Sequence, residues 1–262
     1  MTEHHFGNVA PLKNVAALLT LIDRVQNRVH GLPGMATFYG PSGRGKSMAA
    51  TYATNQMDAV HIEIQPLWRA KNLLAGIAGH LDIAKPAKTA SAIFEQVAER
   101  MQRDMRPLLI DEADRLVRDD MVEVVRGLYE ASNAPIILIG EEDLPTMLMR
   151  WERVHGRMLD WVAAQHADIV DVNQLATIYA PNIEITDDLK AALLDGSRQS
   201  HRYVCSNLAR VAELALTRGL SRVTKQDWGK TKFFSGEPPA ARREVIVELS
   251  RQRQAARTAR RS

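Results

Sequence analysis

The chain has a single cysteine, Cys205, among its 262 residues. No internal disulfide is possible, and a reducing compartment suits it. Cys205 falls within a helical pattern, where a packed thiol is expected rather than a nucleophile. Long apolar runs are also missing. The longest, around "APIILIG", is far too short to span a bilayer. The N-terminal "MTEHHFGNVAPLKN" lacks the basic-then-apolar order of a signal peptide, so a cytoplasmic location is expected. No His or Cys cluster has metal-ligand spacing, and His4-His5 is a lone pair near the terminus. There is no internal repeat, and no low-complexity segment apart from the arginine-rich end.

Excess charge is small, at +3, but it is unevenly placed. Residues 241–262 hold seven arginines against Glu244 and Glu248, a balance of +5 that leaves −2 for the rest. A basic tail on a near-neutral body suits either a polyanionic or acidic partner or a solvated end. The length is enough for one large domain, or for a domain with a small appendage.

Short apolar segments alternate with helical patterns over the first two thirds of the chain. Val15, Leu18, Leu19, Ile22 and Val25 predict an opening helix. Strands are predicted at 35–39, 59–64, 107–110 and 135–140, with a last one at 167–172. Helices are predicted at 46–57, 68–82, 89–104, 119–131 and 145–162. This alternation predicts an α/β fold, a parallel sheet covered by helices on both faces. After Asn173 only helical patterns remain, at 186–195, 200–217 and 225–230. The expected organisation is a helical lead-in over 1–34, an α/β nucleotide-binding domain over 35–172, a small all-α lid over 173–232, and a basic helix or arm over 233–262.

The most specific string is "GPSGRGKS" at 40–47. Gly40, Gly45, Lys46 and Ser47 satisfy G-x-x-x-x-G-K-[ST], between a predicted strand and a predicted helix as that motif requires. The backbone from Gly40 through Pro41, Ser42, Gly43, Arg44 and Gly45 would wrap the phosphates of ATP with its N–H groups. Lys46 would reach the β- and γ-phosphates, and the Ser47 hydroxyl would ligate Mg²⁺. "PLLIDEAD" then delivers Asp111 to the Mg²⁺ shell, with Glu112 as general base toward the attacking water. "DEAD" alone suggests an RNA helicase, but the second RecA-like domain and the "SAT" and "HRxGR" stretches are missing. An ABC-type ATPase would need an LSGGQ-like signature, also missing.

One further stretch, "MRWERVHGRM" at 149–158, spaces Arg150, Arg153 and Arg157 along one edge of the predicted helix. Taken in order, the phosphate loop, Asp-Glu strand, sensor strand, arginine-bearing helix and helical lid resemble an AAA+ ATPase over residues 12–230. Within that superfamily, "YGPSGRGKSMAA", "LLIDEADRL", "IILIGEEDLP" and "MRWERVHGRM" are most similar to the B proteins of phage Mu and its relatives. These are ATP-dependent DNA-binding proteins that activate target DNA for a transposase.

The resemblance implies further roles. Glu141 stands at the first sensor position, where Asn or Thr is commoner. Arg157 matches the arginine finger that reaches a neighbouring subunit's γ-phosphate, with Arg153 as the fallback. Arg202 matches the second sensor, reaching back from the lid. Arg69, Lys71, Lys85 and Lys88 are candidate contacts to DNA phosphates, and Trp68 is expected to pack in the core. The partners implied are double-stranded DNA, a transposase and further copies of the chain in a ring or filament, in the cytoplasm of a bacterial host. Two alternatives stay open: a helper ATPase of another system, such as a helicase loader or secretion-type enzyme, and a nucleotide-gated scaffold with little turnover.

Overall fold

The computed structural model describes residues 12–237. In chain order its first elements are α1 (Lys13–Gln26), β1 (Met35–Tyr39), α2 (Lys46–Met57), β2 (Val60–Glu63), α3 (Ala70–His80) and α4 (Ala90–Asp104). Next come β3 (Leu108–Asp111), α5 (Asp114–Arg118), α6 (Val122–Ser132), β4 (Ile136–Gly140), α7 (Leu144–Leu148), α8 (Glu152–His155) and β5 (Met158–Ala163). The helical part holds α9 (Ile169–Tyr179), β6 (Glu184–Ile185), α10 (Asp187–Gly196), α11 (His201–Arg218), β7 (Arg222–Val223) and α12 (Lys225–Trp228).

β1 to β5 form one parallel sheet in the order β2-β3-β4-β1-β5. The central strands β3 and β4 are buried at every residue because helices cover both faces, which is why they are written as unbroken apolar runs. On one face, Leu18 and Ile22 of α1 and Ala49, Ala50 and Ala53 of α2 pack against Ala36, Phe38, Leu109 and Ile137. The three alanines let α2 approach the sheet closely, which fixes the loop before it. On the other face, Leu73 and Ile77 of α3, Ile93 and Val97 of α4, and Val125 and Leu128 of α6 share a core with Ile62, Ile110 and Leu138. Burying each such side chain contributes about 1.5–3 kcal/mol. A separate cluster of Val172, Leu189, Val204, Leu208 and Val211 holds the helical part together.

The expected α/β architecture is present, but the chain departs from the predicted elements between 145 and 172. The predicted helix 145–162 is two short helices, α7 and α8, followed by strand β5. β5 pairs with β1, with a bulge that slips the register by one residue between Met35 and Ala36. As an edge strand with every residue only partly buried or exposed, it carries Asp160, which pairs with Arg24 of α1. Arg150, Arg153 and Arg157 therefore do not share one helix. The predicted strand 167–172 is instead the start of α9. There Asp168 accepts from the backbone N–H groups of Val170 (2.9 Å) and Asp171 (3.0 Å), while Asp171 accepts from Asp168 N–H (3.1 Å). This capping box overrides the strand preference of Ile169, Val170 and Val172. The expected helix 119–131 is α6, which begins at Val122 after the separate short helix α5, and the helical part is not purely α, since β6 and β7 make a two-residue parallel pair. The arginine-rich residues 241–262 lie outside the described residues, as does His4-His5. No described helix is long and apolar enough to cross a membrane.

Candidate functional site

At the C-terminal edge of the sheet, β1 runs into Gly40 and the loop that opens α2. Gly45 caps α2 in the left-handed region, φ 79°, with no side-chain cap bond. The first N–H groups of the helix are therefore left for an incoming anion. Gly43 is also left-handed, φ 82°, and a Cβ there would lie 2.6 Å from Ser200 Oγ at the start of α11. Lys46 is only 8% exposed, and its Nζ donates to the carbonyls of Gly40 (2.5 Å) and Pro41 (3.1 Å). Burial pushes its pKa down, opposed by the carboxylates of Glu141, Asp111, Asp114 and Glu112. Glu141 Oε1 stands 3.8 Å from Lys46 Nζ.

The acidic side is built by β3 and β4. Asp111, 3% exposed, ends β3. Burial opposes its ionisation, but His61, the Ser47 side chain and the Glu112 N–H (2.9 Å) together hold its carboxyl below the usual range. His61 acts across a gap longer than a hydrogen bond, with Nε2 3.8 Å from Oδ2. Glu112 follows at φ 57°, a left-handed conformation unusual for a residue with a side chain, and it is half exposed near Arg115 (3.6 Å). Strained backbone of this kind clusters at functional sites.

Asp114, the last letter of "DEAD", went unassigned in the sequence. It is buried, and its Oδ2 accepts from the backbone N–H of Glu141 (2.9 Å), tying the end of β3 to the end of β4. Gly140 makes room for it: a Cβ there would sit 2.5 Å from Asp114 Oδ2. A cavity of about 560 Å³ opens beside the loop, lined by Pro41, Ser42, Glu141, Glu142 and Asp143.

The helical part closes the third side. Arg202 N–H donates to Gly43 C=O (3.1 Å), so the second residue of α11 is docked on the phosphate loop with an exposed side chain. A buried network runs behind this contact. Asn14 Nδ2 donates to the carbonyls of Arg44 (2.8 Å) and Gln165 (2.9 Å), and its Oδ1 accepts from Gln165 N–H (2.8 Å). Arg44 Nη2 lies 2.9 Å from His166 Nε2. Since a guanidinium only donates, that nitrogen accepts and the ring is neutral. Burial and the charges of Arg44 and His201 push the His166 pKa down, in keeping with this. Burial also lowers the Arg44 pKa, while Glu142 pulls it back. His201 Nε2 reaches Asp171 Oδ2 (3.2 Å). Burial works against ionisation of Asp171, yet His201 and the N–H groups of Lys13 and Asp168 hold its pKa down. Asn14, His166, Asp171 and His201 carry no motif, and only their convergence in space marks them.

Gly40, Pro41, Ser42, Gly43, Arg44, Gly45, Lys46, Ser47, Asp111, Glu112, Glu141 and Arg202 thus lie around one cradle. The group fits a nucleotide triphosphate with Mg²⁺. The uncapped helix N–H groups and the buried Lys46 ammonium would meet the phosphates, and Arg44 Nη1 is buried without a hydrogen-bond partner. Ser47 and Asp111 supply the oxygen donors that Mg²⁺ prefers. Among the described residues no group of three or more His, Cys, Asp or Glu side chains is arranged to hold a metal by itself.

Arg157 lies elsewhere. Its carbonyl accepts from Met35 N–H (3.1 Å), at the beginning of β1, whereas the cradle follows the end of that strand. A five-residue strand separates them by roughly 15 Å along the sheet at about 3.3 Å per residue. Arg153 and Arg150 are exposed. Arg69, Lys71, Lys85 and Lys88 are exposed on and near α3, with Arg69 3.4 Å from Asp119, and Trp68 packs its ring toward Gly76 and Ile62 in the core.

Comparison with known proteins agrees with this geometry. Residues 29–148 match the family described as an AAA domain. Cdc6p from Pyrobaculum aerophilum superposes with a TM-score of 0.63 at 16% identity, covering 92% of this chain and 72% of that one. The Aeropyrum pernix Orc1 protein, solved in complex with DNA, gives a TM-score of 0.57 at 14% identity. It covers 84% of this chain, which spans only 64% of that protein. At such identities the likeness is one of fold. No curated protein matches the sequence. The phosphate loop and the acidic strand both lie inside the segment that matches the AAA domain, and the chain shares the α/β fold of these two structures.

Proposed function

We propose that the protein binds ATP–Mg²⁺ in this cradle, assembles with copies of itself on double-stranded DNA with little sequence preference, and activates target DNA or the transposase in DNA transposition. Lys46 and the N–H groups of residues 40–47 take the phosphates, Ser47 and Asp111 hold Mg²⁺, and Glu112 orients and deprotonates the attacking water. Arg202 reaches the nucleotide from the lid, and Glu141 lines the cradle beside Lys46. Hydrolysis takes the assembly apart, in a bacterial cytoplasm.

The observation that carries the oligomeric part is the position of Arg157. It stands at the opposite edge of the sheet from its own Lys46, so it can serve a phosphate only in a neighbouring subunit. Arginine fingers raise phosphoryl-transfer rates by roughly 10³–10⁵. DNA contact is assigned to the exposed Arg69, Lys71, Lys85 and Lys88, which would bind phosphates and so carry little sequence information. The Orc1 structure offers one DNA-bound protein of this fold. Transposition itself rests on the four sequence stretches that resemble the B proteins of Mu-like phages.

A second reading, a nucleotide-gated scaffold with slow turnover, is favoured by the carboxylate of Glu141 3.8 Å from Lys46. ATP hydrolysis measured with and without duplex DNA, alongside electron microscopy, separates the two. DNA-stimulated hydrolysis with filaments or rings supports the first reading, and ATP-dependent assemblies without turnover support the second. Hydrolysis indifferent to DNA, without assemblies, points to a helper ATPase of another system.

A further inference from the structure

The sheet edge opposite the cradle carries an ordered row of charges for which the nucleotide site has no use. Glu123, Arg126 and Glu130 follow one another along α6. Arg126 Nε donates to Glu123 Oε2 (2.7 Å), and its Nη1 donates to Glu130 Oε2. The other oxygen of Glu130, Oε1, accepts twice from Arg157, through Nε (3.1 Å) and Nη2 (2.9 Å). The guanidinium expected to work in another subunit is therefore held on its own, while its side chain remains 45% exposed.

Two features make this a holding contact rather than a fixed one. Ion pairs between exposed side chains are weak, because water screens them and two long side chains must be ordered. A terminal phosphate offers the same fork geometry with more negative charge, so it outcompetes a single carboxylate oxygen for a guanidinium. In addition, Glu130 is not stranded when Arg157 leaves. Arg126, anchored by Glu123, stays on its second oxygen and keeps the carboxylate paired.

We propose that Glu130 is a positioning residue that parks the Arg157 guanidinium on its own subunit until the nucleotide of a neighbouring copy draws it away. The proposal rests on the reading of Arg157 as a finger acting in trans. Parking makes each subunit–subunit contact dearer by the strength of one exposed pair, roughly two- to fivefold in an equilibrium.

The test is steady-state ATP hydrolysis per chain as a function of chain concentration, for the full chain with saturating Mg²⁺–ATP and duplex DNA. Glu130→Gln should lower the concentration giving half-maximal activity by about two- to fivefold and leave nucleotide affinity unchanged. Glu123→Gln, which touches Arg126 but not Arg157, should leave that midpoint where it is. Arg157→Ala should remove the concentration-dependent gain in either background. If Arg157→Ala removes the gain but Glu130→Gln leaves the midpoint unmoved or raises it, the parking role is wrong and the finger stands. If Arg157→Ala keeps the gain, the finger reading fails and the parking role fails with it.

Discussion

Docking of α11 on the phosphate loop makes Gly43→Ala a sharp test of how the lid and the cradle are joined. The new Cβ meets two obstacles. At φ 82° an L side chain is strained, at about 1–2 kcal/mol. It also falls 2.6 Å from Ser200 Oγ, a distance real Cβ atoms do not tolerate, so that hydroxyl must turn away. In turning, it gives up its hydrogen bond to Gly43 C=O (3.3 Å), worth about 1 kcal/mol. The substitution should therefore cost about 2–3 kcal/mol.

Ser200→Ala alone should cost about 1 kcal/mol, since Gly43 C=O keeps the Arg202 N–H. In the double variant that hydrogen bond is lost only once and the clash is gone, so the cost should stay near 2–3 kcal/mol, against about 3–4 kcal/mol for independent effects. Equilibrium urea unfolding of the four proteins measures this coupling of about 1 kcal/mol. Strict additivity would refute the contact between the lid and the phosphate loop.

Lys46→Ala should abolish binding of a fluorescent ATP analogue while leaving the melting temperature within a few degrees, as the lost partners are two loop carbonyls. Glu112→Gln should keep ATP binding but slow single-turnover hydrolysis by about 10²–10⁴-fold, the range for loss of a general base. Gly140→Ala should be among the most destabilising surface-neutral changes, because its Cβ would lie 2.5 Å from the buried Asp114 carboxylate and 2.7 Å from Leu144 Cδ2, and thermal unfolding will show it. Asp171 has a folded pKa held below its unfolded one, so its contribution to stability is full above about pH 4 and is lost only as pH falls through the lower folded value. Asp171→Asn should flatten the acid limb of stability against pH, as read by urea unfolding from neutral pH downward.

What was legible in the sequence was what is local along the chain. "GPSGRGKS" and "LLIDEAD" each bring their motif residues within a few positions, and β4 and all but the last residue of β3 are apolar because both faces are covered. β5 was illegible for the complementary reason. It is an edge strand whose residues are all partly buried or exposed, it contains Asp160, and Trp151, Val154 and Met158 imitate a helical stripe across the real break. The network behind the loop was illegible because its partners are remote, Asn14 bonding Gln165 across 151 positions and Arg44 meeting His166 across 122. Asp114 could have been found from the four-residue string, had the following Gly140 been read as the space its carboxylate needs.

On the proposed reading, the balance of charge at the cradle is why one copy would work poorly alone. Lys46 feels four carboxylates, those of Glu141, Asp111, Asp114 and Glu112, and Glu142 faces Arg44. A triphosphate entering this field adds several negative charges to an acidic site, and like charges at close range disfavour one another strongly in a partly desolvated cleft. Mg²⁺ held by Ser47 and Asp111 would offset part of that, and Arg202 on the lip would offset more. As charge shifts toward the leaving and attacking oxygens, a further fixed cation lowers the barrier. Within the chain, Arg157 is a strand's length away and bonded to Glu130. On the proposed reading the acidic cradle thus makes turnover depend on a neighbour, so that Glu141→Gln should both tighten ATP binding and raise hydrolysis at low chain concentration. Slower hydrolysis with weaker binding in that variant would instead make the carboxylate a working sensor.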